Sequence, residues 1–214
     1  MALIYQFFAR STHDKWLFCL AVCLITLIIA CWPDALLTLR YDRSALSNGE
    51  IWRLLTSHWV HLNWAHCFLN VFGLLLICEL LWGALPLRHG IGLLVFSGLV
   101  ISACLWWLNP GLASYAGLSG VLHGLWAGCA LFGILQASHP FHRSYLPYWI
   151  GAFLLIIKLL MEFLYGPSEF TAHLIGGNVI SESHLYGALA GANYMLMLRC
   201  VRMAPLSRGA LQQK

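Results

Sequence analysis

From His89 to His142 the chain contains no aspartate, glutamate, lysine or arginine. A soluble domain cannot run that far without charge, because roughly a quarter of its residues are charged. The scarcity extends along the whole sequence. Of 214 residues, 60% are hydrophobic and only 9% charged, and the mean hydropathy is +0.76. The fold class that follows is an all-α polytopic membrane protein surrounded by membrane lipid. Secreted disulfide scaffolds, disordered regulators and soluble nucleic-acid binders are excluded, so no nucleic-acid partner is expected. The eight cysteines contain no CxxC pair and lie mostly in apolar runs, which makes them packing thiols.

A spanning helix needs about 20 mostly apolar residues. That length predicts six helices, roughly 16–37, 58–82, 90–108, 118–137, 145–165 and 183–202, with a cytoplasmic tail over 203–214. Asn109-Pro110-Gly111 divides the uncharged stretch in two. The first apolar run reads as a retained helix, since no small-residue cleavage site follows it. Six spans place both termini on one side. Arg10, Lys15, Arg88, Arg143, Arg199, Arg202, Arg208 and Lys214 fall there against a single acid, Asp14. Opposite them, Arg40, Arg43 and Arg53 are balanced by Asp34, Asp42 and Glu50, with Glu169 and Glu182 added. The positive-inside rule puts both termini in the cytoplasm.

Polar groups at membrane depth are costly and default to functional candidates. His58, His61, His66 and Asn70 begin the second predicted helix. Ser119 and His123 begin the fourth, Lys158 and Glu162 lie in the fifth, and His173 and His184 flank the start of the sixth. His66 and Asn70 share a helical face, where two donors can point at one oxygen or simply bond between helices. Ser119 sits in Gly117-Leu118-Ser119-Gly120, at a loop-to-helix junction whose free amides suit an oxyanion. The same serine would serve as an ordinary helix cap.

Gly120, Gly124 and Gly128 form a four-residue stripe, matched by Gly187 and Gly191 beyond His184. Where two such stripes meet, backbones approach closely, and His184 is brought level with Ser119 as a serine–histidine dyad. His123, one turn from Ser119, either stacks on His184 or packs as a polar residue. Glu182 is on a different face from His184 and is not a third member. His173 reads as an outer-loop residue, and Lys158 with Glu162 either as an i, i+4 salt bridge or as a pair serving substrate entry at a mobile fifth helix.

These motifs, in this order, resemble the rhomboid intramembrane serine proteases. The Gly-Leu-Ser-Gly-Val-Leu-His-Gly run and the short chain are most similar to the rhombosortase branch. Trp52-Arg53 matches the first-loop motif, His66-x-x-x-Asn70 the second-helix motif, Gly117–Gly120 the nucleophile motif, and His184-x-x-Gly187-x-x-x-Gly191 the last-helix motif. The resemblance implies a hydrolase with no cofactor or metal. Ser119 is then the nucleophile and His184 the general base, with His66, Asn70 and the backbone near Leu118 and Ser119 stabilising the oxyanion. Many rhomboids carry tyrosine where this chain has His123. The implied partner is a transmembrane protein substrate, for rhombosortases one with a C-terminal tag of glycine-rich stretch, membrane helix and basic end. The implied place is a bacterial inner membrane, with the site opening to the periplasm. Cleavage of other single-span substrates is the broader alternative. A non-catalytic binder of membrane segments, a metal or haem protein using His58, His61, His66, His173 and His184, and a solute transporter are the other classes that the composition allows.

Overall fold

Proline, glycine and asparagine decide where the helices of this chain start and stop. The computed structural model describes residues 2–137 and 142–203, so the expected tail lies outside the described residues except for Met203. Of the described residues, 76% are helical. In order it contains α1 (Ala2–Ala30), α2 (Ala35–Leu39), β1 (Tyr41–Asp42), α3 (Arg43–Ser47), α4 (Arg53–Thr56), α5 (Trp64–Leu81), α6 (Leu87–Leu108), β2 (Ser114–Tyr115), α7 (Ser119–Leu135), a 3₁₀ turn (Arg143–Tyr145), α8 (Leu146–Tyr165), α9 (Glu169–Ile175) and α10 (Ser181–Met203). The all-α polytopic membrane class expected from composition is the one observed.

Three expected boundaries are corrected, the first being the start of the first helix, at Ala2 rather than 16. The first helix ends at Ala30 rather than 37, because Pro33 has no amide hydrogen with which to continue it. The second begins at Trp64 rather than 58. Asn63 adopts an extended backbone there, and its side chain accepts from the His66 amide at 2.8 Å. His58 and His61 therefore lie in the preceding loop. Elsewhere Pro86 precedes α6, Asn109-Pro110 follows it, and Gly166 and Gly176 end α8 and α9 at positive φ.

Among the described residues, four helices are long and apolar enough to cross a membrane: Thr12–Ala30, Trp64–Leu81, Leu87–Leu108 and Arg143–Tyr165. The other two expected spans correspond to α7 and α10. They differ for physical reasons: α7 is too short, and α10 carries Ser181, Glu182, Ser183, His184 and Asn193 among its apolar residues. α7 is 17 residues long, about 25 Å, and it packs against α5, α6, α8 and α10.

The glycine stripes of α7 and α10 do meet. A Cβ on Gly187 would overlap the Gly120 carbonyl, and one on Gly191 the Gly124 carbonyl. No larger residue permits that approach. α8 is the least embedded long helix, burying only Gly151 and Leu155.

The segment between α1 and α5 is held by its charges. Arg53 is buried, pairs with Glu50 at 2.7 Å, and donates to the Leu37 and Arg40 carbonyls at 3.0 and 2.9 Å. Arg43 donates to the carbonyls of Leu105, Trp106, Asn109 and Leu112 at 2.8–3.1 Å, satisfying the open end of α6. β1 and β2 pair antiparallel, Tyr41 with Tyr115 and Asp42 with Ser114. This tie anchors the chain just before Ser119. At the opposite end Lys15 pairs with Glu79 at 2.6 Å and Asp14 accepts from the Leu87 amide at 3.1 Å. The acids on that side therefore include Glu79 as well as Asp14.

Candidate active site

Ser119 is the first residue of α7, and its hydroxyl lies 3.0 Å from His184 Nε2 on α10. The two residues are 65 positions apart in sequence and are joined through the glycine contact just described. His184 is 5% exposed, so its ring orientation is set by protein contacts rather than by water.

His123 stacks on His184 with ring centroids 4.2 Å apart and planes 16° from parallel. Its Nδ1 lies 2.7 Å from the Ser119 carbonyl, so Nδ1–H donates there and fixes the ring. Of the two roles left open for His123, the stacked one is observed.

The other edge of His184 was not anticipated. Nδ1 lies 2.9 and 3.0 Å from the two carboxylate oxygens of Glu162 on α8. Lys158 Nζ donates to Glu162 Oε1 at 2.8 Å and stands 3.5 Å from the same Nδ1. Nδ1 cannot both donate to the carboxylate and accept from the ammonium. The shorter contact decides: Nδ1–H donates to Glu162, and Nε2 keeps its lone pair toward the serine hydroxyl. The expected salt bridge is present, but it accounts for only part of what Glu162 touches. Glu182 is exposed, as its helical face implied.

His66 and Asn70 line the same cavity as Ser119 and His184, which has a volume of about 830 Å³. His66 Nδ1 accepts from the Leu62 amide at 3.4 Å, leaving Nε2–H as the donor. Its ring lies against Gly117, where a Cβ would come within 2.8–2.9 Å of Cε1 and Nε2. Gly117 also has φ +134°, so glycine is required there twice over, for space and for backbone. Asn70 Nδ2 donates one hydrogen to the His66 carbonyl at 3.1 Å and keeps a second. Leu118 has its side chain in the core, 1% exposed, so any part it plays is through its backbone amide.

The remaining candidates are scattered. His58 bonds to the Gly98 carbonyl and Ser102 hydroxyl at 2.9 and 3.1 Å, and burial pulls its pKa down to about 4. His61 packs edge-on against His66, with centroids 5.0 Å apart. His173 is exposed on α9, and Trp52 is exposed at the start of α4. The five-histidine metal set is therefore not assembled. Among the described residues, ligand atoms of His123, Glu162 and His184 lie within 4.8 Å of one another. The Lys158 ammonium already supplies the positive charge beside that carboxylate.

A second, apolar groove of about 560 Å³ runs between α5 and α8, lined by Leu69, Gly73, Leu76, Ile150 and Leu154. It reaches Ser119, Asn70 and His123 at its inner end. The Rhomboid domain family matches residues 48–200, from the segment before α4 to the end of α10. The chain belongs to the rhomboid family. Rhomboids are intramembrane proteases that act on transmembrane substrates, and this one is a multi-pass membrane protein. A comparison with curated proteins gives no match.

Proposed function

We propose that this rhomboid is a serine endopeptidase that cuts a transmembrane-anchored protein near the outer membrane face. The observation that carries the reading is the 3.0 Å contact of Ser119 Oγ with His184 Nε2, inside a cavity that also holds His66 and Asn70. Ser119 is the nucleophile. As its oxygen bonds to the peptide carbonyl carbon, His184 Nε2 takes the hydroxyl proton. His66 Nε2–H, the free Asn70 amide hydrogen and the backbone amides at the start of α7 supply donors for the oxyanion. The proton then passes from Nε2 to the leaving nitrogen, the C–N bond breaks, and water repeats the sequence on the acyl-enzyme.

The cavity is bordered by the 113–116 segment and by Gly176–Ile180, which lie at the end of the bundle carrying the loop after α1. Water reaches it from there, while the apolar groove suits an incoming substrate helix. A substrate helix must unwind at the cut, which glycine favours. In this reading the chain is one rhomboid-like domain of six spans, α7 and α10 being the inner two. It lies in a bacterial inner membrane with cytoplasmic termini and a site open to the periplasm.

The finer assignment is rhombosortase-like: removal of a C-terminal glycine-rich, transmembrane and basic tag from exported proteins. It rests on the Gly117–Gly124 run and on His123 in the stacked position. Co-expression with a single-span reporter, with and without such a tag, tests both levels. The intact protein and His173→Ala should cut the tagged reporter, while Ser119→Ala and His184→Ala should not. Equal cutting by Ser119→Ala would overturn the protease reading. Equal cutting of tagged and untagged reporters would overturn only the rhombosortase assignment.

A further inference from the structure

We infer that Glu162 is the third member of the site, a positioning residue that makes the Ser119–His184 pair a triad. The inference rests on the serine-protease reading and extends it. A histidine acting as general base must present a lone pair at Nε2, so its proton must sit on Nδ1 and be held there. Glu162 meets that need with both carboxylate oxygens, at 2.9 and 3.0 Å from Nδ1. No other acid does so among the described residues, since Glu182 is exposed to solvent.

The carboxylate is itself fixed. Its side chain is 15% exposed, and the Lys158 ammonium lies 2.8 Å from one oxygen, one helical turn away. A carboxylate with a cation on one side and an N–H on the other stays ionised while it orients the ring. During attack, the Ser119 proton moves to Nε2 and the Nδ1 proton remains in place. Glu162 then faces an imidazolium and stabilises it without taking up a proton. The three members come from three helices: Ser119 from α7, His184 from α10 and Glu162 from α8. Because α8 is the least embedded of them, displacing its outer half would also withdraw the carboxylate from Nδ1.

Cleavage kinetics of a single-span reporter and the rate of fluorophosphonate labelling test this in the full-length protein, alongside thermal unfolding. Glu162→Gln is expected to lower kcat and the labelling rate together by about a hundredfold or more, with KM changed less than about threefold. Its melting temperature should stay within about 2 °C. Glu162→Asp should recover part of the rate, since it restores the charge on a shorter arm. The double variant Lys158→Met with Glu162→Gln should stay as slow as Glu162→Gln, because the carboxylate facing Nδ1 is still missing. Recovery in the double variant would overturn the proposal, for Glu162 would then only neutralise Lys158. So would a Glu162→Gln kcat within about threefold of the intact protein. Activity in Ser119→Ala or His184→Ala equal to that of the intact protein, or no labelling of the intact protein, would overturn the underlying serine-protease reading instead.

Discussion

Replacing Gly187 by alanine tests whether the approach of α7 and α10 sets the catalytic distance. Gly187 is one turn beyond His184 on the face toward α7. An added Cβ would fall against the Gly120 carbonyl, well inside the 3.0 Å that real Cβ atoms respect. The clash is backbone against backbone, so no side chain can swing away to relieve it. The helices must separate by about 1 Å or more at that level to restore ordinary contact. The 3.0 Å bond between Ser119 and His184 then stretches to about 4 Å, beyond hydrogen-bond range. A misplacement of that size costs about a hundredfold in rate, and overpacking costs about 1–3 kcal/mol of stability. Reporter cleavage and thermal unfolding in the same detergent measure both. Leu189→Ala, at an exposed position on the same helix, is the control and should change neither greatly. Wild-type kcat and melting temperature in Gly187→Ala would show instead that the distance does not depend on this contact.

Loss of one oxyanion donor in Asn70→Ala or His66→Ala should lower kcat about a hundredfold, with fluorophosphonate labelling slowed in parallel; an unchanged kcat in both would remove them from the oxyanion hole. Arg53→Lys should lower stability by about 2–3 kcal/mol in thermal unfolding, because lysine cannot serve Glu50 and the Leu37 and Arg40 carbonyls together. His58, with its pKa pulled down to about 4 by burial, is neutral in the fold but protonates near pH 6.5 when unfolded. Its stabilising contribution is complete above pH 6.5 and fades as pH falls toward 4, by up to about 3 kcal/mol. Unfolding measured across that window should be less steeply pH-dependent in His58→Gln, and an unchanged slope would contradict this.

The helical order, the glycine stripes and the place of Ser119, His184, His66 and Asn70 were legible because each depends on local spacing. Gly120, Gly124, Gly187 and Gly191 recur every four residues, and such stripes have few uses besides close packing. The start of α5 was misplaced because 58–63 contains no proline or glycine, and only the side chain of Asn63 ends the loop. Glu162 was missed for a different reason. Its i, i+4 partner Lys158 offered a complete local explanation, while its bond to His184 crosses from α8 to α10 and is invisible to any helical period. The one available signal was that an acid sat at membrane depth. The paired loop β1–β2 also went unseen, since two-residue strands carry no alternation to read.

Everything proposed for this site depends on Ser119 being a nucleophile activated by His184. The most direct measurement is fluorophosphonate labelling of the purified protein, followed by mass-spectrometric mapping of the modified peptide. Labelling should give a single adduct on Ser119, abolished in Ser119→Ala and slowed by orders of magnitude in His184→Ala. An adduct elsewhere, or labelling of His184→Ala at the rate of the intact protein, would contradict it.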